Sequence, residues 1–103
     1  MPSEIVVCTY RAAADKREAF REILKLHWHV LRELGLVLDE PRIMLEGLKD
    51  STFVEVFAWR DAEAVETAHH HPRVMAVWER VGPLCEARDG RPPMELPHFR
   101  RVE

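Results

Sequence analysis

The sequence predicts an α+β domain whose segments follow the order β-α-β-β-α-β. Three observations carry this. Two runs, residues 4–11 and 52–59, are dense in β-branched and aromatic side chains and read as central strands. Between them lies an amphipathic stretch of about 20 residues with apolar positions at helical spacing. After the second run come a capped turn, a short helix, a proline break and a second helix, within residues 61–81.

Residues 4–11 (EIVVCTYR) place Ile5, Val7 and Thr9 on one face and Val6, Cys8 and Tyr10 on the other. Asp15 is a candidate cap for the first helix, with Glu18 completing a capping-box pattern. Phe20, Ile23, Leu24, His27, Leu31 and Leu34 then form a buried stripe, and Gly35 suits the left-handed residue that ends a helix. Residues 36–40 read as a connection closed by Pro41. Residues 42–48 alternate as a half-exposed edge strand, and Lys49-Asp50-Ser51 supplies turn chemistry into 52–59. Asp61 caps a helix over 62–70, and Pro72 opens another over 72–81, which carries Val74, Val77, Trp78 and Val81 inward. Residues 88–93 form a loop. Residues 94–102 form a last strand, and Pro97 places it at an edge. This order is the split β-α-β pattern: a ferredoxin-like, four-stranded sheet with both helices on one face.

Composition sets the frame. The chain has 103 residues, 47% hydrophobic and 32% charged, which suits one domain over 1–103. No apolar run approaches about 18 residues, so no membrane span is expected, and the first residues lack a secretory pattern. The net charge is −3 and basic residues are scattered, which argues against a nucleic-acid partner. Cys8 and Cys85 are the only cysteines and read as free thiols in a reducing cytoplasm. The chain has no Asn or Gln and many charges, a bias that fits a heat-tolerant source or a skewed genome.

A second copy of the chain is expected to cover the open sheet face. In residues 52–59 the small set Val54, Val56 and Ala58 suits the helix side, which leaves Phe53, Phe57 and Trp59 outward. Rings of about 150–250 Å² each exceed what a soluble monomer usually exposes. Two sheets face to face would hide them in an eight-stranded barrel-like core. A one-residue slip would reverse this assignment.

Strand-Trp59-Arg60-Asp61-x-Glu63-Ala64, Ala68-His69 and His71-Pro72-x-Val74-x-x-x-Trp78 together resemble the dimeric α+β barrel superfamily, most closely its antibiotic-biosynthesis-monooxygenase-type domains. The resemblance spans residues 4–102. It implies a homodimer and a cofactor-free oxygenase acting on a small planar phenol- or quinol-type molecule, with no cofactor. The quinol oxygenases of this group rely on an Asn and a Trp. This chain has no Asn; Trp59 stands for the Trp and Tyr10 for an aromatic helper. The haem-degrading branch uses an Asn on the first strand and a Trp and a His on the second helical segment. Here those places fall on Thr9 or Tyr10, His69 and Glu79, and none matches.

Each candidate site residue carries two readings. His27, mid-stripe on the first helix, is either a core histidine bonded to a carbonyl or carboxylate, or a general base. His69, His70 and His71 point about 100° apart, so they do not chelate one ion as a set. His69 is the one expected to face inward, as a candidate catalytic residue beside Glu55 and His27; His70 and His71 are expected in solvent. A metal site joining a histidine to His98 and Glu55 matches no standard spacing, and no metal is expected. Glu55, between Phe53 and Phe57, must pair with Arg or His or hold its proton. It is either an ion pair across the dimer with Arg11 or Arg100, or a proton acceptor. Trp59, Trp78, Tyr10 and His98 are expected against the substrate; the rival reading for each Trp is core filling. A non-enzymatic ligand-binding dimer of the same fold is the alternative function.

Overall fold

The computed structural model describes residues 4–102. Its elements are β1 (Ile5–Arg11), α1 (Arg17–Glu33), β2 (Val37–Glu46), β3 (Thr52–Trp59), α2 (Ala62–Ala68), α3 (Pro72–Val81), β4 (Met94–Glu95) and β5 (His98–Phe99). The antiparallel sheet runs β2-β3-β1-β4, with β5 also against β1. β4 and β5 are one edge strand interrupted at Leu96-Pro97. Pro97 has no N–H to give, but its carbonyl accepts from the Val7 N–H at 3.2 Å. The α+β, ferredoxin-like arrangement is thus the one the element order predicts, with β1 and β3 central.

Local chemistry explains most boundaries. Gly35 sits at φ 73°, where a side chain would be strained, and the Leu36 N–H bonds back to the Leu31 carbonyl at 3.0 Å. The Asp61 side chain accepts from the Ala64 N–H at 2.8 Å, and Pro72 opens α3. The His71 side chain caps α3 by accepting from the Arg73 N–H at 3.2 Å.

Several boundaries depart from expectation. Asp15 does not cap α1: it lies inside a 3₁₀ turn, Ala14–Lys16, and α1 starts without a side-chain cap. α2 stops at Ala68, because the residue before Pro72 is driven to extended backbone; His71 has φ −89° and ψ 122°. β2 begins at Val37, inside the expected connection. It pairs with Trp59, then bulges through the cis Glu40–Pro41 bond before Arg42 resumes pairing opposite Phe57.

The largest correction concerns the sheet faces. Phe53, Glu55, Phe57 and Trp59 are buried beneath the helices of the same chain, together with Val6, Cys8 and Tyr10. The register requires this, because Cys8 pairs with Glu55, Val6 with Phe57 and Tyr10 with Phe53, and paired residues share a face. The open face instead carries Ile5, Val7, Thr9, Val54 and Val56, flanked by Ile43 on β2, Leu45 on β2 and Phe99 on β5. Ile43, Leu45 and Phe99 are 44%, 56% and 51% exposed. A broad apolar surface is therefore present, built mainly of branched aliphatics, with Phe99 at its edge, rather than of Phe53, Phe57 and Trp59.

On the covered side, α1 contributes Phe20, Ile23, Leu24, His27, Trp28, Val30 and Leu31, and α3 contributes Val74, Val77 and Val81. α1 and α3 pack on each other. Trp28 is closed off by the Arg42 guanidinium, 4.1 Å above its ring. Among the described residues no helix is long and apolar enough to cross a membrane.

Candidate active site

Between the sheet and the α2–α3 pair lies a cavity of about 300 Å³. Its floor is Val6, Cys8, Tyr10, Phe57 and Trp59 from the two central strands. Its walls come from His27 on α1, from Val65, His69, Trp78 and Val81 on the helical segments, and from Met94, Leu96 and His98 on the edge strand. The break at Pro72 divides this wall into two segments, with Val65 and His69 before it and Trp78 and Val81 after it. His69 and His98 are exposed and mark the mouth.

One end of the cavity is polar. The Tyr10 hydroxyl donates to Glu55 Oε1 at 2.9 Å. His27 Nδ1 lies 3.1 Å from Glu55 Oε2 and 3.2 Å from Oε1. The Trp78 indole N–H donates to His27 Nε2 at 3.0 Å. Tyr10, Glu55 and His27 are buried; Trp78 is half-buried. An indole nitrogen only donates, so Nε2 presents its lone pair. A neutral imidazole then carries its proton on Nδ1, where Glu55 accepts it. The relay therefore has one direction: Glu55 orients His27 and fixes its tautomer, and the basic nitrogen points to Trp78 at the cavity wall.

Of the residues singled out in the sequence, Tyr10, His27, Trp59, His69, Trp78 and His98 all line this cavity, and Glu55 stands directly behind it. His69 stacks edge-on against Trp78, with ring centres 4.9 Å apart. His98 is held at the mouth by Glu4, 2.9 Å away. Trp59 is buried, and its indole N–H has no partner among the described residues. His70 and His71 stay outside, His70 paired with Glu66.

Glu55 makes no ion pair with Arg11 or Arg100. It faces away from the open sheet surface, and the Arg11 guanidinium is bonded to Glu95 at 2.7 Å and the Pro92 carbonyl at 2.8 Å. Among the described residues, no group of three or more His, Cys, Asp or Glu side chains gathers to hold a metal ion. Sequence reasoning passed over Cys8, Phe57, Val65, Met94 and Leu96 as lining residues. For Cys8 a signal existed, because it shares a strand face with Tyr10.

The cavity floor should register in alkaline stability. Burial pushes the Cys8 thiol up to about 12, and the Glu55 carboxylate adds to this. Burial first, then the same carboxylate, holds Tyr10 well above the ordinary phenol range. Both stay protonated in the fold where the unfolded chain releases its protons, so the unfolded state binds fewer protons and stability falls as pH rises. The loss should begin near pH 9 and steepen toward about 1.4 kcal/mol per pH unit per group. Melting curves at stepped pH test this. Cys8→Ala should flatten the decline, and a melting temperature unchanged from about pH 8.5 to 10.5 would contradict the assignment.

No protein-family model matches the chain, and no curated protein matches it. Solved structures do. A variant of a cofactor-independent oxygenase from Streptomyces nogalater superposes with a TM-score of 0.79 at 14% identity, over 100% of this chain and 96% of that one. A Nitrosomonas europaea protein described as a candidate antibiotic biosynthesis monooxygenase gives 0.78 at 13%, over 97% and 90%. The fold is that of the antibiotic-biosynthesis-monooxygenase structures. A Bacteroides thetaiotaomicron protein described as a possible oxidoreductase shares it, with a TM-score of 0.78 at 15% identity over 97% and 98%.

Proposed function

We propose that this protein is a cofactor-independent monooxygenase-like enzyme acting on a small, planar, apolar molecule of phenol or quinol type. The observation that carries this reading is the lone pair of His27 Nε2, set by Glu55 at the wall of an apolar cavity. Stripped of its acidic proton by Nε2, such a substrate becomes an electron-rich anion able to reduce oxygen. One oxygen atom stays in the product, the other leaves as water, and the substrate's own carbon supplies the electrons. Glu55 stabilises the imidazolium, as the carboxylate does in Asp–His pairs. The cofactor-independent oxygenase of the same fold supports the class of chemistry. Oxygen uptake across a panel of quinols and anthrones tests it: at least one substrate should be turned over, and no turnover by any would overturn it.

One observation favours a second reading, a ligand-binding dimer without chemistry. The relay is closed on itself, since Nε2 already accepts the Trp78 N–H. Binding of panel members without turnover is the result this reading expects.

The open sheet face is best explained by a second copy of the chain. Val7, Val54 and Val56 lie at its centre on the two middle strands, and such surfaces seldom stay wet. Sedimentation at micromolar concentration should give twice the 12.1 kDa chain mass, and Val56→Lys should give the single mass. A monomer in the unaltered protein would remove the dimer. The free thiols Cys8 and Cys85 suit a reducing, cytoplasmic setting.

A further inference from the structure

The polar end of the cavity restricts what can bind there beyond size and flatness. Three observations bear on it. First, Nε2 is the relay's one lone pair directed at the cavity wall, and the group now on it is the Trp78 N–H at 3.0 Å. Second, Trp78 is the outermost member of the relay. It is half-buried and has His69 on its other side, whereas Tyr10, Glu55 and His27 are enclosed. Third, among the described residues no Lys or Arg lines the cavity, and the Glu55 carboxylate lies directly behind the imidazole. An anionic head placed at Nε2 would meet an acceptor backed by a negative charge, with no Lys or Arg among the described lining residues to offset it and His69 and His98 set out at the mouth.

We propose that the cavity admits an aromatic X–H donor in its neutral form, which replaces the Trp78 indole N–H on His27 Nε2 and can then pass its proton there, and that carboxylates of the same shape, which arrive without a proton to give, are rejected. Trp78 is then a positioning residue: it holds the lone pair and the tautomer ready while the cavity is empty and yields the nitrogen to the ligand. This rests on the assignment of His27 as proton acceptor. The exchange trades one hydrogen bond for another, so part of the ligand's affinity is spent displacing the indole. Removing the indole donor should return that part.

The experiment compares naphthol, its methyl ether and naphthoate, binding without oxygen near neutral pH, to the wild-type protein and to Trp78→Phe. The wild type should prefer naphthol to naphthoate by at least about tenfold. Trp78→Phe should shift the naphthol-to-ether affinity ratio by about five- to tenfold in favour of naphthol, the size of one hydrogen bond, the ether, which cannot donate, reporting the loss of indole packing alone. An unchanged ratio, or naphthoate binding as well as naphthol, would overturn the proposal. A second measurement needs no variant. Nitrogen-15 spectra of wild-type His27 should show Nε2 changing its hydrogen-bond partner when naphthol binds, and an unmoved Nε2 resonance under saturating naphthol would overturn it equally. Oxygen turnover combined with no discrimination against naphthoate removes this inference and leaves the oxygenase reading. The naphthol pattern combined with no turnover of any substrate does the reverse. Absence of binding by all three compounds removes both.

Discussion

His27→Gln is expected to lower oxygen uptake by about 10²- to 10⁴-fold while the protein stays folded. Gln is the informative replacement. Its amide nitrogen can donate to Glu55, and its amide oxygen can accept from the Trp78 N–H, so both hydrogen bonds of the imidazole have a substitute. What Gln cannot do is take a proton. The variant therefore separates the role of His27 in holding the relay together from its role as a base. A rate within about threefold of wild type would assign the proton elsewhere, with His69 at the mouth the next group to examine.

The second large effect is on stability. Glu55→Leu is expected to destabilise the fold by about 2–5 kcal/mol, because the Tyr10 hydroxyl and the His27 Nδ1–H each lose their acceptor in a closed environment. In a domain of this size that lowers the melting temperature by roughly 10 °C or more. Glu55→Gln keeps one acceptor oxygen and should cost less. If Leu is tolerated as well as Gln, the carboxylate is not the acceptor that the geometry makes it.

Much of the fold is legible in the chain because its signals are local. The Asp61 cap, Pro72 at a helix start and Gly35 at a helix end each act on their own backbone, and each does in the structure what its chemistry requires. Asp15 shows the limit: the same kind of cap signal is overridden by a 3₁₀ turn that carries the chain from β1 into α1. The sheet faces are not local. Alternation in 52–59 separates Phe53, Glu55, Phe57 and Trp59 from Val54, Val56 and Ala58, but both sets are mostly apolar, and period two does not say which set meets the helices. The size argument points the wrong way. The layer between sheet and helices must be filled, and large rings fill it, whereas branched aliphatics are enough for a flat outer surface.

The deciding clue lies in the polar residues. His27 sits alone on the apolar stripe of α1, and Glu55 alone on the apolar face of β3. Each needs a buried partner, and each is the partner the other lacks. Reading them as a pair turns β3 the right way, and Tyr10 then follows from its place on the same face of β1. The contact between Trp78 and His27 is different. It depends on how α3 leans over α1, which no local pattern encodes.

The account depends above all on His27 drawing a proton from a molecule in the cavity. The most direct measurement is the absorption spectrum of a bound phenolic ligand whose anion absorbs at longer wavelength than its neutral form, taken without oxygen at a pH where the free ligand is neutral. The wild-type protein should bind it as the anion and His27→Gln as the neutral phenol. A neutral spectrum in the wild type, or an anion in both proteins, would contradict the account.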